Sequence, residues 1–125
     1  MKYNEAMQLP TYQITQQQGN TVSVDINFPA AHDFFNGHFE AMALLPAVAQ
    51  LFTAEQIARA TWGELSGFCQ LKRVKFREPI FPDTGITLIL TLDKKSDCTE
   101  LLFRYEMDKQ LKSTGILVYR TNNNE

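Results

Sequence analysis

The sequence has little of what several common protein classes require. It carries no surplus of basic charge: 12 lysines and arginines stand against 14 aspartates and glutamates, a formal net charge of −2. A generic nucleic-acid binder shows a basic excess, so that class is excluded. Long hydrophobic runs are also missing. The longest, residues 41–49, is interrupted by Pro46 and falls far short of the ~20 residues that cross a bilayer. The opening stretch, MKYNEAMQLP, has no apolar core of signal-peptide length. Cysteine is scarce, with Cys69 and Cys98 far apart and without metal-type spacing. Both fall in strand-like sequence, which reads as two buried, reduced thiols. These absences point to a cytoplasmic globular protein that engages neither nucleic acid nor membrane.

What is present fits that class. A chain of 125 residues suits one domain with one core, spanning 1–125. Two alternating runs, TYQITQQQ and TVSVDINF, flank the turn signal Gly19-Asn20. A loop over 29–45 follows, and PAVAQLFTAEQIARAT (46–61) reads as a helix with Pro46 at its first position, where a missing N–H costs nothing. Apolar residues at 47, 48, 51, 52, 54, 57 and 58 cover much of its circumference, as expected of a largely buried helix. Beyond Gly67 the β pattern returns in FCQLKRVKFRE, ITLILTLD, ELLFRYEM and LKSTGILVYR, joined by connectors rich in turn formers. The expected architecture is α+β, an antiparallel sheet of about six strands wrapped around one helix. One sheet on one helix leaves edges unpaired, and edge-to-edge dimerisation is the natural remedy.

The segment FFNGHFEAMALLPAVAQLF, residues 34–52, and the strand end VKFREPIFPDTGITLILTL resemble the hot-dog 3-hydroxyacyl-acyl carrier protein dehydratases. The likeness is to short members of the fatty-acid and aryl-polyene cluster type, and it runs from about residue 9 to 120. The family loop reads His-Phe-Pro-x-x-Pro-x-x-Pro-Gly-Val, with Asp or Glu fourteen residues after the histidine. Here His38, Phe39, Pro46 and Val48 match, Glu40 and Ala43 replace two prolines, and Ala47 replaces the glycine. The fourteenth position is Phe52, which cannot transfer a proton.

The resemblance implies a hot-dog homodimer, or a higher oligomer, acting without cofactor or metal on β-hydroxyacyl thioesters of acyl carrier protein or coenzyme A. His38 would be the base for the α-proton, suited by an unperturbed pKa near ~6.5. The N–H of Ala47 at the helix N-terminus would polarise the thioester carbonyl. Phe35, Gly37, Phe39, Pro46, Val48 and Phe52 would line the substrate tunnel. The leaving hydroxyl also needs a proton, and general acid catalysis contributes about 10²–10⁴-fold. Glu55, at i+3 from Phe52, is the foremost substitute, ahead of Asp33 and Glu40. Each has a plainer reading: Glu55 in a wet helix stripe with Gln56 and Arg59, Asp33 as a turn former, Glu40 as a solvated charge.

His32, Asp33 and His38 lack the further ligands a metal site needs, and Cys69 has no base beside it in sequence. In LKRVKFRE, Val74 and Phe76 alternate with Arg73, Lys75 and Arg77. The basic face is either solvated or steers an acidic carrier protein. Two further readings stand beside the dehydratase: a hot-dog thioesterase in which Glu55 activates water, and a non-catalytic acyl-carrier-binding or partner subunit.

Overall fold

The computed structural model describes residues 9–32, 45–63 and 65–120. Strands β1 (Tyr12–Gln18) and β2 (Thr21–Asn27) precede helix α1 (Ala47–Trp62), and β3 (Phe68–Phe76), β4 (Gly85–Lys94), β5 (Cys98–Met107) and β6 (Gln110–Arg120) follow it. The strands form one six-stranded sheet in the order β1-β2-β4-β5-β6-β3, antiparallel throughout. This is the hot-dog arrangement.

Period-two alternation decides which face the helix covers. Val22, Val24 and Ile26 on β2, Ile86, Leu88, Leu90 and Leu92 on β4, Leu101, Phe103 and Tyr105 on β5, and Leu117 and Tyr119 on β6 are all buried. Against them α1 sets Ala49, Ala54, Ile57 and Ala58, packing on β4 and β5. Three of those four residues are alanines, so the helix backbone comes close to the sheet. The Gly19-Asn20 turn forms as its sequence signals, with Gly19 in the left-handed region at φ +61°. Asn20 then ties the hairpin to β4: its side-chain amide donates to the Leu92 carbonyl at 2.6 Å, and its own carbonyl accepts the Leu92 N–H at 2.9 Å.

Gly115 is a position that admits no side chain. A Cβ there would lie 2.6 and 2.8 Å from ring carbons of Phe103 and 2.9 Å from a Val74 methyl. Its absence lets the Phe103 ring lie across β6 towards β3.

β3 forms one edge of the sheet. Its ladder with β6 is broken between Phe68 and Gln70 and again between Lys72 and Lys75, where Arg73 takes φ +52°, a β-bulge in an edge strand. The edge position corrects one expectation from sequence. Cys69 is exposed rather than buried, because β3 has a neighbour on one side only, and Cys98 is half-buried because it begins β5.

A second correction concerns the helix. Pro46 is its N-cap rather than its first residue, with φ −65° and ψ 153°. The polar Gln50 and Thr53 are fully inside, whereas the apolar Val48 is 53% exposed. Leu51 and Phe52 are half-buried against the core. No described helix is long and apolar enough to cross a membrane.

Candidate active site

Phe35, Gly37, His38 and Phe39, with Asp33 and Glu40, lie outside the described residues. The structure places what holds that segment and what it leads into. The chain departs from Phe28–His32 and returns at Leu45, and both ends are tied to the turn at 80–83. The Asp83 N–H donates to the Phe28 carbonyl at 2.8 Å, and the Asp83 carboxylate accepts the Ala30 N–H at 3.2 Å. At the other end, the Leu45 N–H donates to the Ile80 carbonyl at 2.8 Å. The Phe-x-x-Pro-x-x-Pro stretch, 76–82, therefore runs into a clamp on both ends of the segment bearing the candidate base.

Leu45 is held from its carbonyl side as well. The Gln50 amide nitrogen donates to the Leu45 carbonyl at 3.4 Å, while the Gln50 amide oxygen accepts the Ser113 hydroxyl at 2.6 Å. Tyr105 donates its hydroxyl to the Gln50 backbone carbonyl at 2.7 Å. Burial pushes the Tyr105 pKa far up, so this group stays a neutral donor. Buried polar groups are costly unless paired. Here the pairs hold the first turns of α1 to β5 and β6. The result is a fixed helix N-terminus. Pro46 supplies no side-chain cap, the first turn contains no acidic residue, and Ala47 and Val48 are exposed. First-turn N–H groups have no partner within the helix, and such donors suit a developing oxyanion.

The family's acid position on α1, Phe52, and the candidate substitute, Glu55, have different surroundings. Phe52, one turn beyond Val48, packs half-buried on the core cluster. Glu55 is engaged. Its carboxylate accepts a short hydrogen bond from the Tyr119 hydroxyl, and Arg59 lies 3.6 Å from the same oxygen. Arg59 in turn donates to the Leu65 carbonyl at 2.7 Å. Burial, reinforced by the Glu55 carboxylate, pushes the Tyr119 pKa well above its ordinary value. Along the axis, Glu55 sits about 12 Å from Ala47, at about 1.5 Å per residue. It is tied to β6 and the helix C-terminal end, not to the helix N-terminus of its own chain.

Arg73, Lys75 and Arg77 are all exposed, the first two on β3 and the third just past its end. Sequence reasoning passed over Gln50, Ser113, Tyr105 and Tyr119. Gln50 does carry a signal, as a polar residue inside an apolar helix. Tyr119 carries none, because its partner lies 64 residues away.

Comparison with known proteins agrees with this geometry. The model of the ApeI-like family, described as ApeI dehydratase, matches residues 14–116. The 3-hydroxyacyl-[acyl-carrier-protein] dehydratase FabZ of Streptococcus pneumoniae is 27% identical, over 81% of this chain and 75% of that protein. Among solved structures, the dehydratase heterocomplex ApeI:P from Xenorhabdus doucetiae superposes with a TM-score of 0.78 at 26% identity, covering 90% of this chain and 100% of that one. A hypothetical thioesterase from Streptococcus pneumoniae, solved with coenzyme A, superposes at 0.68 with 11% identity, over 92% of this chain and 89% of that one; that likeness is one of fold. By the extent of the family match, this chain belongs to the ApeI-like dehydratase family.

Proposed function

We propose that this chain handles β-hydroxyacyl thioesters in the manner of a 3-hydroxyacyl-[acyl carrier protein] dehydratase, and that its own helix does not supply the proton donor of that reaction. In dehydration the α C–H bond breaks as a base takes the proton, the C–C double bond forms, and the β C–O bond breaks as the hydroxyl leaves with a proton from an acid. His38 is the base in this reading and the Ala47 N–H polarises the thioester carbonyl. Phe35, Gly37, Phe39, Pro46, Val48 and Phe52 line the acyl path. The acyl group arrives on acyl carrier protein or coenzyme A, with Arg73, Lys75 and Arg77 as the docking face for an acidic carrier.

The observation that carries the proposal is the helix itself. Its first turn is anchored and carries no side-chain cap, position 52 is a packed phenyl ring, and Glu55 is held by Tyr119 and Arg59. A chain so built works as one of a pair. The apolar residues left exposed along the β3 edge, Phe68, Leu71 and Phe76, support the same reading, and the relative from Xenorhabdus doucetiae is a dehydratase heterocomplex. The sequence-based expectation of a homodimer is one form of that assembly.

The test is turnover of 3-hydroxyacyl thioesters by the purified protein, followed both as enoyl product and as free thiol. Wild type alone should form enoyl product slowly and release no thiol. Phe52→Asp should raise the enoyl rate by part of the about 10²–10⁴-fold that a general acid contributes, and His38→Ala should abolish it. Thiol release that disappears in Glu55→Gln would overturn the proposal in favour of a thioesterase.

A further inference from the structure

Leu45, where the chain leaves the segment bearing His38, is buried and bonded on both sides. Its N–H donates to the Ile80 carbonyl at 2.8 Å, and its carbonyl accepts the Gln50 amide N–H at 3.4 Å. The oxygen of that amide accepts the Ser113 hydroxyl at 2.6 Å. Next to Ser113, the Lys112 carbonyl accepts the N–H groups of Arg77 and Glu78, at 2.9 and 3.1 Å. Glu78 leads through Pro79 back to Ile80. These bonds and the chain between them close a ring through Ile80, Leu45, Gln50, Ser113 with Lys112, and Glu78. It joins α1, β6 and the Pro-rich turn.

Only two side chains take part. Gln50 and Ser113, both buried, close the ring, and every other member contributes backbone. The Tyr105 hydroxyl holds the Gln50 carbonyl from β5 at 2.7 Å, so the amide reaches Leu45 and Ser113 from an anchored residue.

Folding does not require an amide at this place. Replacing both partners of a buried polar pair by apolar groups of the same shape is often nearly neutral. What a satisfied buried network supplies is a single geometry. The two ends of the Gln50 amide also differ in slack. The bond from Ser113 is short, whereas the bond to Leu45 lies at the long limit of a hydrogen bond. A retreat of the helix end by on the order of a few tenths of an ångström would break it.

We propose that Gln50 is a positioning residue, whose amide sets the distance between Leu45, at the exit of the His38 segment, and the first-turn N–H groups of α1. It acts through Leu45 and the helix backbone and touches no reacting atom. This rests on the reading of His38 as the base and of the Ala47 N–H as the group that polarises the thioester carbonyl. Both must meet one substrate, and a misplacement of about 1 Å costs on the order of 100-fold in rate.

The test reads α-proton transfer alone, which needs the base and the polarising N–H but no acid. Hexanoyl-coenzyme A in deuterium oxide exchanges an α-hydrogen for deuterium when the C–H bond breaks to the base and the enolate takes back a deuteron. Mass spectrometry follows the exchange. Gln50→Met combined with Ser113→Ala opens the ring without leaving the Ser113 hydroxyl unpaired. This double variant should unfold in urea near the wild-type midpoint, since Met fills the place of Gln. Its kcat for exchange should fall about 100-fold while KM stays within about threefold. Gln50→Met alone should lower both the midpoint and kcat, and adding Ser113→Ala should restore only the midpoint. Recovery of the rate together with the midpoint would overturn the inference. So would a double variant that stays well below wild-type stability, because the amide would then serve folding. Absence of exchange by wild type is a different result, which overturns the thioester reading and the inference with it.

Discussion

The sheet has two edges, and they are built differently. β1 is an edge of glutamine and threonine: Gln13, Thr15, Gln16, Gln17 and Gln18 are exposed, with Ile14 the one large apolar residue among them at 41%. Such side chains pair with water at little cost. β3 instead offers a row of half-exposed aromatic and aliphatic residues on one face and three exposed cations about the other. An edge strand is a liability because its backbone groups invite pairing. β1 manages that liability by being wet, whereas β3 leaves an apolar row exposed beside its cations. The contrast puts the exposed apolar row at β3, on the opposite side of the sheet from the hairpin.

The sharpest way to break this contrast is to put a charge on each edge. Phe76→Glu on β3 should weaken self-association by about 30-fold or more, the loss expected at the centre of an interface. Ile14→Glu on β1 should leave it within about twofold, since exposed substitutions away from contacts change little. Analytical ultracentrifugation of both variants decides it, and equal losses would remove the distinction between the edges.

Gly115 tests how β3 is seated on β6. Gly115→Ala forces a methyl against Phe103 and Val74, and overpacking of this kind costs about 1–3 kcal/mol. Urea unfolding should show that loss, whereas Gln17→Ala on the opposite edge should stay within about 0.5 kcal/mol. An unchanged midpoint for Gly115→Ala would mean that β3 shifts freely on its neighbour.

The smallest effect concerns Glu100 on β5. Its carboxylate, nearly inaccessible, lies 2.9 Å from Lys72 of β3 and 3.2 Å from Lys95. The hydrogen bond from Lys72, followed by that from Lys95, holds its pKa below the ordinary glutamate value despite burial. A carboxylate whose folded pKa is lowered adds stability that is present above its unfolded pKa and is lost as pH falls through the folded value. Wild type should therefore melt above Glu100→Gln at pH 6, and the gap should close as pH is lowered below about 4.5. A gap independent of pH would show that the substitution acts through packing, not through the ion pairs.

Much of the fold could be read in the chain. The turn at Gly19-Asn20, the six β segments and the helix after Pro46 occupy their expected places to within a few residues. The candidate site was read through a resemblance, and its loop, 33–44, lies outside the described residues. The Gly-His-Phe loop and the Pro-rich strand end mark the family, and Phe52 marks the departure from it. Apolar counting failed on the helix surface. It took Val48 as interior and passed over Gln50, because hydropathy carries no information about which polar groups find partners. Gln50 is inside because Leu45, Ser113 and Tyr105 meet it there.

The sequence by itself determined the local elements and the chemical inventory. Period two and a period of about 3.6 are local properties, and the absence of a carboxylate at position 52 needs no coordinates. Tertiary structure alone decided that β3 lies at an edge beside β6, that Asp83 and Ile80 clamp both ends of the His38 segment, and that Tyr119 occupies Glu55. Each of these joins residues tens of positions apart. Such pairings depend on how strands order themselves around one helix, a choice set by the sum of many long-range contacts that no window of neighbouring residues contains.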